Sequence, residues 1–161
     1  MTDTHDTRSQ NETLATALRL IRLHRRMKPA DVAAAMGMPK RSYEHFEAGK
    51  GKLNPARVHR FAEVTDSDPY AILDSMALGS AAFALRCADN KAMLALRVAL
   101  QEFDLDFGDA IMELDTRSLI NAFTKVLKDL GLQAVRQDGA ANDWLEAGME
   151  RLVKPSSDDE G

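Results

Sequence analysis

KPADVAAAMGMPKRSYEHFEAG, residues 28–49, holds two short helical patterns parted by Met36-Gly37-Met38-Pro39. Val32 and Met36 lie four residues apart, so on a helix they share one side. Tyr43 and Phe46 lie three apart, and a second helix can close them onto that stripe. Gly37 stands where the first helix should end, because glycine enters the left-handed conformation without a steric penalty. Pro39, with fixed φ and no N–H, suits the start of the next helix. Lys40, Arg41, Glu44 and His45 then face outward. Two short helices at a sharp turn, the second presenting long polar side chains, form a helix-turn-helix.

Around this stretch the chain resembles the DNA-binding domain of the Cro/cI repressor-like (XRE-type) regulators. Arg22, Ala33, Gly37, Ser42, Glu47 and Gly49 stand at matching places, and the resemblance spans roughly residues 14–77. It implies an all-α fold with a five-helix lambda-repressor-like DNA-binding domain, and the helical patterns beyond it add a small C-terminal helical domain. It implies that Arg22 pairs with Glu47 to lock the fold, with Gly37, Tyr43 and Phe46 as further structural residues. It also implies base reading by Lys40, Arg41, Glu44 and His45. Two departures stand out: Lys28-Pro29 replaces the family's usual Gln at the second helix, and Pro39 replaces the usual Ser or Thr cap.

The chemistry of the residues leads the same way. Arg and Lys donate to guanine O6 and N7, and Glu accepts from the cytosine amino group. Lys40, Arg41, Glu44 and His45 fall on one exposed strip. Ser42 is better suited to a phosphate. Arg25, Arg26, Lys28, Lys50, Lys52 and Arg57 flank the strip in sequence and are the expected contacts to the DNA backbone.

Charge supports that expectation. The 161-residue chain carries −4 overall, but residues 19–60 hold 11 Lys/Arg against 3 Asp/Glu, or +8, whereas residues 79–161 hold 9 against 15, or −6. Positive charge gathered on one segment is the footprint of a phosphate-binding face. The acidic half argues against a nucleic-acid role for the C-terminal region.

Outward from the motif, residues 1–11 read as a disordered arm, and a first helix is expected from near Asn11 or Thr13 to Met27. Leu14, Leu18, Ile21 and Arg25 share a face of it, with Ala17 and Leu20 beside them, so the buried stripe ends in charge. Asn54-Pro55 and Asp68-Pro69 are start signals for the fourth and fifth helices. A domain boundary is expected at Gly79-Ser80, giving a DNA-binding domain over 12–78 and an all-helical domain over 79–153. The latter is expected to hold helices near 91–107, 116–130 (stopped by Gly131) and 140–153. Residues 154–161 read as a disordered acidic tail.

These C-terminal helices carry more apolar surface than they can bury alone, so residues 80–153 are expected to mediate homodimerisation. The expected partner of the dimer is double-stranded DNA, a promoter or operator. In the alternative, the chain is a protein-interaction module or an activator whose acidic helices contact RNA polymerase or a co-regulator. Enzymatic motifs, metal-ligand spacings and cofactor loops are missing from the sequence. No apolar run approaches the roughly 20 residues that cross a bilayer. A single cysteine, Cys87, suits a reducing compartment and reads as a small buried hydrophobe. The expected location is the cytoplasm, on the nucleoid.

Overall fold

In the computed structural model residues 3–153 are described, and they are helical with short connections. The order is α1 (Asp3–His24), α2 (Pro29–Ala35), α3 (Lys40–Glu47), α4 (Pro55–Thr65), α5 (Pro69–Leu78), α6 (Ala81–Arg86), α7 (Ala92–Phe107), a 3-10 helix (Gly108–Glu113) and α8 (Thr116–Val153). The chain divides into two compact units between Asp106 and Phe107.

In the first unit α1 packs on α3, α5 and α6, α2 packs on α3 and α4, and α4 packs on α5. Leu14, Ala17, Leu18 and Ile21 of α1 are buried against Val32, Ala33, Tyr43, Phe46, Val58, Phe61 and Ile72. Each such large side chain contributes about 1.5–3 kcal/mol by leaving water. Phe46 bridges Tyr43 and Phe61, with ring centroids 6.2 Å apart on either side. Tyr70 is only half-buried. The His59 and Tyr70 rings stand nearly perpendicular with centroids 5.2 Å apart, and the Arg97 guanidinium lies 5.1 Å from the Tyr70 ring centroid.

Helix starts follow the sequence signals. Asn54 Oδ1 accepts from the Arg57 amide, and Pro55 occupies the first turn of α4. Pro39 is the N-cap of α3 rather than its first helical residue, with extended backbone at φ −60° and ψ 144°.

Four expectations about the chain's layout need correction. α1 begins at Asp3, well before Asn11, because the polar residues ahead of the apolar stripe continue its hydrogen bonding. Arg8–Glu12 and Gln10–Asp6 pairs at i,i+4 stabilise that turn. Second, the first unit does not end at Gly79. Ala84, Cys87 and Ala88 are buried, and α6 packs on α1 and α5. Third, the helices expected at 116–130 and 140–153 are one continuous α8, which Gly131 and Gly139 do not interrupt. A glycine costs a helix only about 1 kcal/mol and ends it only where the backbone turns left-handed. The fourth is the fate of Arg25, described with the interface below. The tail at 154–161 lies outside the described residues.

The joint that carries α6 and α7 into the first unit is Asp68, whose side chain is fully buried. Its Oδ1 accepts from the Tyr70 and Ala71 amides at 3.0 and 3.1 Å, and its Oδ2 accepts from the Met93 and Leu94 amides at 2.8 and 3.1 Å. One carboxylate therefore caps two helices. Beside it Lys91, at φ 54°, donates from Nζ to the carbonyls of Asp66 and Ala88, each at 2.6 Å. Burial, helped by the carboxylates of Asp68 and Asp74, pushes the Cys87 thiol above its ordinary range and makes it a poor nucleophile.

Gly49 closes α3 with φ 67°, and a Cβ there would collide with the Asn11 carbonyl. Gly37, at φ 69°, has open space around it. Gly49→Ala should therefore lower stability by about 2–4 kcal/mol, strain plus collision, against about 1–2 kcal/mol for Gly37→Ala. Urea unfolding midpoints of the two variants check the ranking.

The second unit is dominated by α8. Asp115 accepts from the amide and hydroxyl of Ser118 at 3.0 and 2.6 Å, and these bonds hold its carboxyl below the ordinary range. Along α8, Phe123, Leu127 and Trp144 are 58%, 61% and 71% exposed.

Candidate nucleic-acid interface

The site is built from α3 and the turns beside it. Tyr43 and Phe46 are buried beneath the helix, so its other side is turned to solvent: Lys40, Arg41, Ser42, Glu44 and His45 are all exposed. The underside is clamped at the C-terminal end. Arg22 Nε donates to Glu47 Oε1 at 2.7 Å, the two side chains being 11% and 12% exposed, and Arg22 Nη1 donates to the Met27 carbonyl. A partly buried pair of this kind fixes geometry more than it adds stability. The Tyr43 hydroxyl is buried close to this pair and has no hydrogen-bond partner among the described residues. Burial, then the Glu47 charge, pushes it well above the ordinary phenol range, so it stays protonated.

On the exposed face Lys40 Nζ lies 3.5 Å from Glu44 Oε1, an i,i+4 pair open to water and therefore easily broken. Arg41 has no ion pair among the described residues. His45 lies beside the loop after α3: a Cβ on Gly51 would sit 3.6 Å from His45 Nε2.

The basic residues around α3 divide into two groups. Arg26, at φ 55° in the turn after α1, is exposed, as are Lys28, Lys50, Lys52 and Arg57. Lys28 is the N-cap of α2, and its amide donates to Asp31 Oδ2. Arg25 departs from expectation. Its Nε donates to the Thr65 carbonyl at 2.8 Å, its Nη2 donates to the Asp66 carbonyl at 2.7 Å, and the same group pairs with Asp89 at 2.7 Å. Arg25 is thus engaged in joining α1 to the α4–α5 turn and the end of α6. Its hydrogen bond and charge hold the Asp89 carboxyl below the ordinary range. The helical stripe of α1 pointed to this, since Arg25 follows Leu14, Leu18 and Ile21 on the core-facing side.

Sequence spacing did not single out Arg19. It is exposed on α1 and lines an open groove with Glu44, Glu47 and Ala48 of the α3 end. Only the packing of α1 on α3 brings it to that groove. Arg60, in contrast, bonds Glu63 and the Ala35 carbonyl, and so ties α4 to the end of α2.

Two helices of seven and eight residues, a left-handed glycine between them and a polar outer strip on the second define a helix-turn-helix unit. Comparison with protein families agrees: residues 13–70 match the model of a helix-turn-helix domain. That segment of the chain is a helix-turn-helix domain, the kind of module by which DNA-binding regulators hold a helix against duplex. Neither the curated proteins nor the solved structures include a match to the chain.

Proposed function

We propose that the chain is a sequence-specific double-stranded DNA-binding transcriptional regulator of the Cro/cI-like type, acting as a homodimer and without enzymatic activity. α3 enters the major groove. Lys40, Arg41, Glu44 and His45 read base edges there, and Arg26, Lys28, Ser42, Lys50, Lys52 and Arg57 hold the phosphates. The observation that carries this reading is the division of α3 into a buried aromatic underside and an outer strip with Arg41 unpaired among the described residues. An exposed guanidinium on such a strip is free to make the bidentate contact to guanine. Arg25 is left out of the phosphate set because its guanidinium is committed elsewhere.

The dimer is supported by the distribution of apolar surface. Apart from Leu23, Leu53 and Leu78, the large apolar residues exposed along the described chain lie at or beyond Leu94. Two joined copies would present two α3 helices to successive major grooves about 34 Å apart. A regulator of this kind works on the nucleoid, in the cytoplasm. Among the described residues no helix is long and apolar enough to cross a membrane.

Titration of labelled duplex at low ionic strength tests the proposal. Binding that strengthens as salt is lowered supports it, and absence of binding to any duplex removes it. Lys50→Ala should weaken all sequences about equally and reduce the slope of log affinity against log salt by about one unit. The same apolar surface also favours a second reading, in which the C-terminal helices bind RNA polymerase or a co-regulator. A chain that is monomeric alone and captured by purified polymerase would favour that reading.

A further inference from the structure

The apolar stripe of α8 has a register and a direction. Ile120, Phe123, Leu127 and Leu130 are spaced three, four and three apart, and the same phase continues through Ala134 and Gln137 to Ala141, Trp144 and Gly148. That is the spacing of a helix-pairing seam. The apolar members from Ile120 to Trp144 are exposed, and Gly148 is intermediate, on a helix of 38 residues, about 57 Å long at about 1.5 Å per residue. We infer that α8 pairs with the α8 of a second copy of this chain, antiparallel, with Leu127 facing Trp144 and the two-fold axis crossing between Val135 and Arg136. The inference rests on the dimer reading above and adds its surface and its sense.

Two independent features of the helix choose antiparallel over parallel. The first is size. In the antiparallel register Phe123 faces Gly148 and Leu130 faces Ala141, two layers in which a large side chain meets a small one, while Leu127 and Trp144 fill the layer between them. A parallel pair would set Phe123 against Phe123 and Gly148 against Gly148, crowding one layer and hollowing another. Layers interdigitate best when large faces small.

The second is charge. From Thr116 to Arg136 the helix carries Arg117, Lys125, Lys128 and Arg136 against Asp129, whereas from Asn142 to Val153 it carries Asp143, Glu146 and Glu150 against Arg151. Antiparallel pairing lays the basic half of one copy along the acidic half of the other. Parallel pairing lays like on like. Lys125 and Asp129 pair within the helix at 2.6 Å, and Arg117, Lys128 and Arg136 carry the surplus positive charge of that half. Charge of this kind sets orientation more than affinity.

The full chain carrying Cys87→Ala tests the pairing by oxidation in solution. Leu127→Cys alone and Trp144→Cys alone should give no covalent dimer, and an equal mixture of the two should give a disulfide-linked pair. Each variant linking to itself, or no link from the mixture while light scattering shows a dimer, would overturn the antiparallel seam and leave the dimer reading standing. A monomer at tens of micromolar would overturn both. Reversing Lys125 and Lys128 to Glu leaves the seam intact and should weaken the dimer roughly tenfold at low salt, with recovery when Asp143 and Glu146 are made Lys. An unchanged dimer in the first of these also overturns the antiparallel sense. Loss of DNA binding with the cross-link preserved would instead fault the reading of α3.

Discussion

Asp68→Ala should lower the stability of the N-terminal unit by about 3–5 kcal/mol, a large part of the 5–15 kcal/mol that folds an ordinary domain. Losing one helix cap costs about 1 kcal/mol, and this carboxylate caps two helices through four amides. The larger share comes from leaving those amides without an acceptor at a fully buried position, where each orphaned donor costs about 1–3 kcal/mol. Asp68→Asn separates the parts. Its amide oxygen can still cap one helix, but its NH₂ faces the donors of the other, so it should recover about half the loss. Urea unfolding followed by helicity measures the total, and hydrogen exchange at Met93 and Leu94 reports the second cap. A loss below about 1 kcal/mol would show that solvent replaces the carboxylate, and the joint described here would be wrong.

Arg41→Ala should weaken binding to the preferred duplex by about 1–3 kcal/mol, which is roughly tenfold to a hundredfold, and should relax the preference at one base pair. Because Arg41 is exposed and unpaired among the described residues, its removal should leave the unfolding midpoint within about 0.5 kcal/mol of the parent. Selection from randomised duplexes before and after the substitution gives the readout. Identical profiles would remove α3 as the reading helix. The contrast with Lys50→Ala matters: a phosphate contact lowers affinity for every sequence alike.

The head of the molecule was legible because its signals are local. Gly37 and the Pro39 restart mark the turn, Asn54-Pro55 and Asp68-Pro69 mark helix starts, and the spacing of Tyr43 and Phe46 separates a buried from an exposed side of α3. The exposed strip of Lys40, Arg41, Glu44 and His45 follows from that spacing alone. The same reasoning overreached at Gly131, where a helix stop was expected. A glycine is permissive of a left-handed end but does not impose one, and nothing nearby in α8 supplies the reason to turn.

The sequence by itself determined that this protein is all-α and carries a helix-turn-helix with positive charge gathered upon it. Those properties depend on residues a few positions apart. Tertiary structure alone decided that Arg25 binds the Thr65 and Asp66 carbonyls and Asp89, that Asp68 reaches across to Met93 and Leu94, and that the first compact unit runs on to Asp106. Each depends on which carbonyls and amides are left without partners once the helices pack. A buried polar group must find such a partner wherever the chain brings one, and no local pattern records where that is.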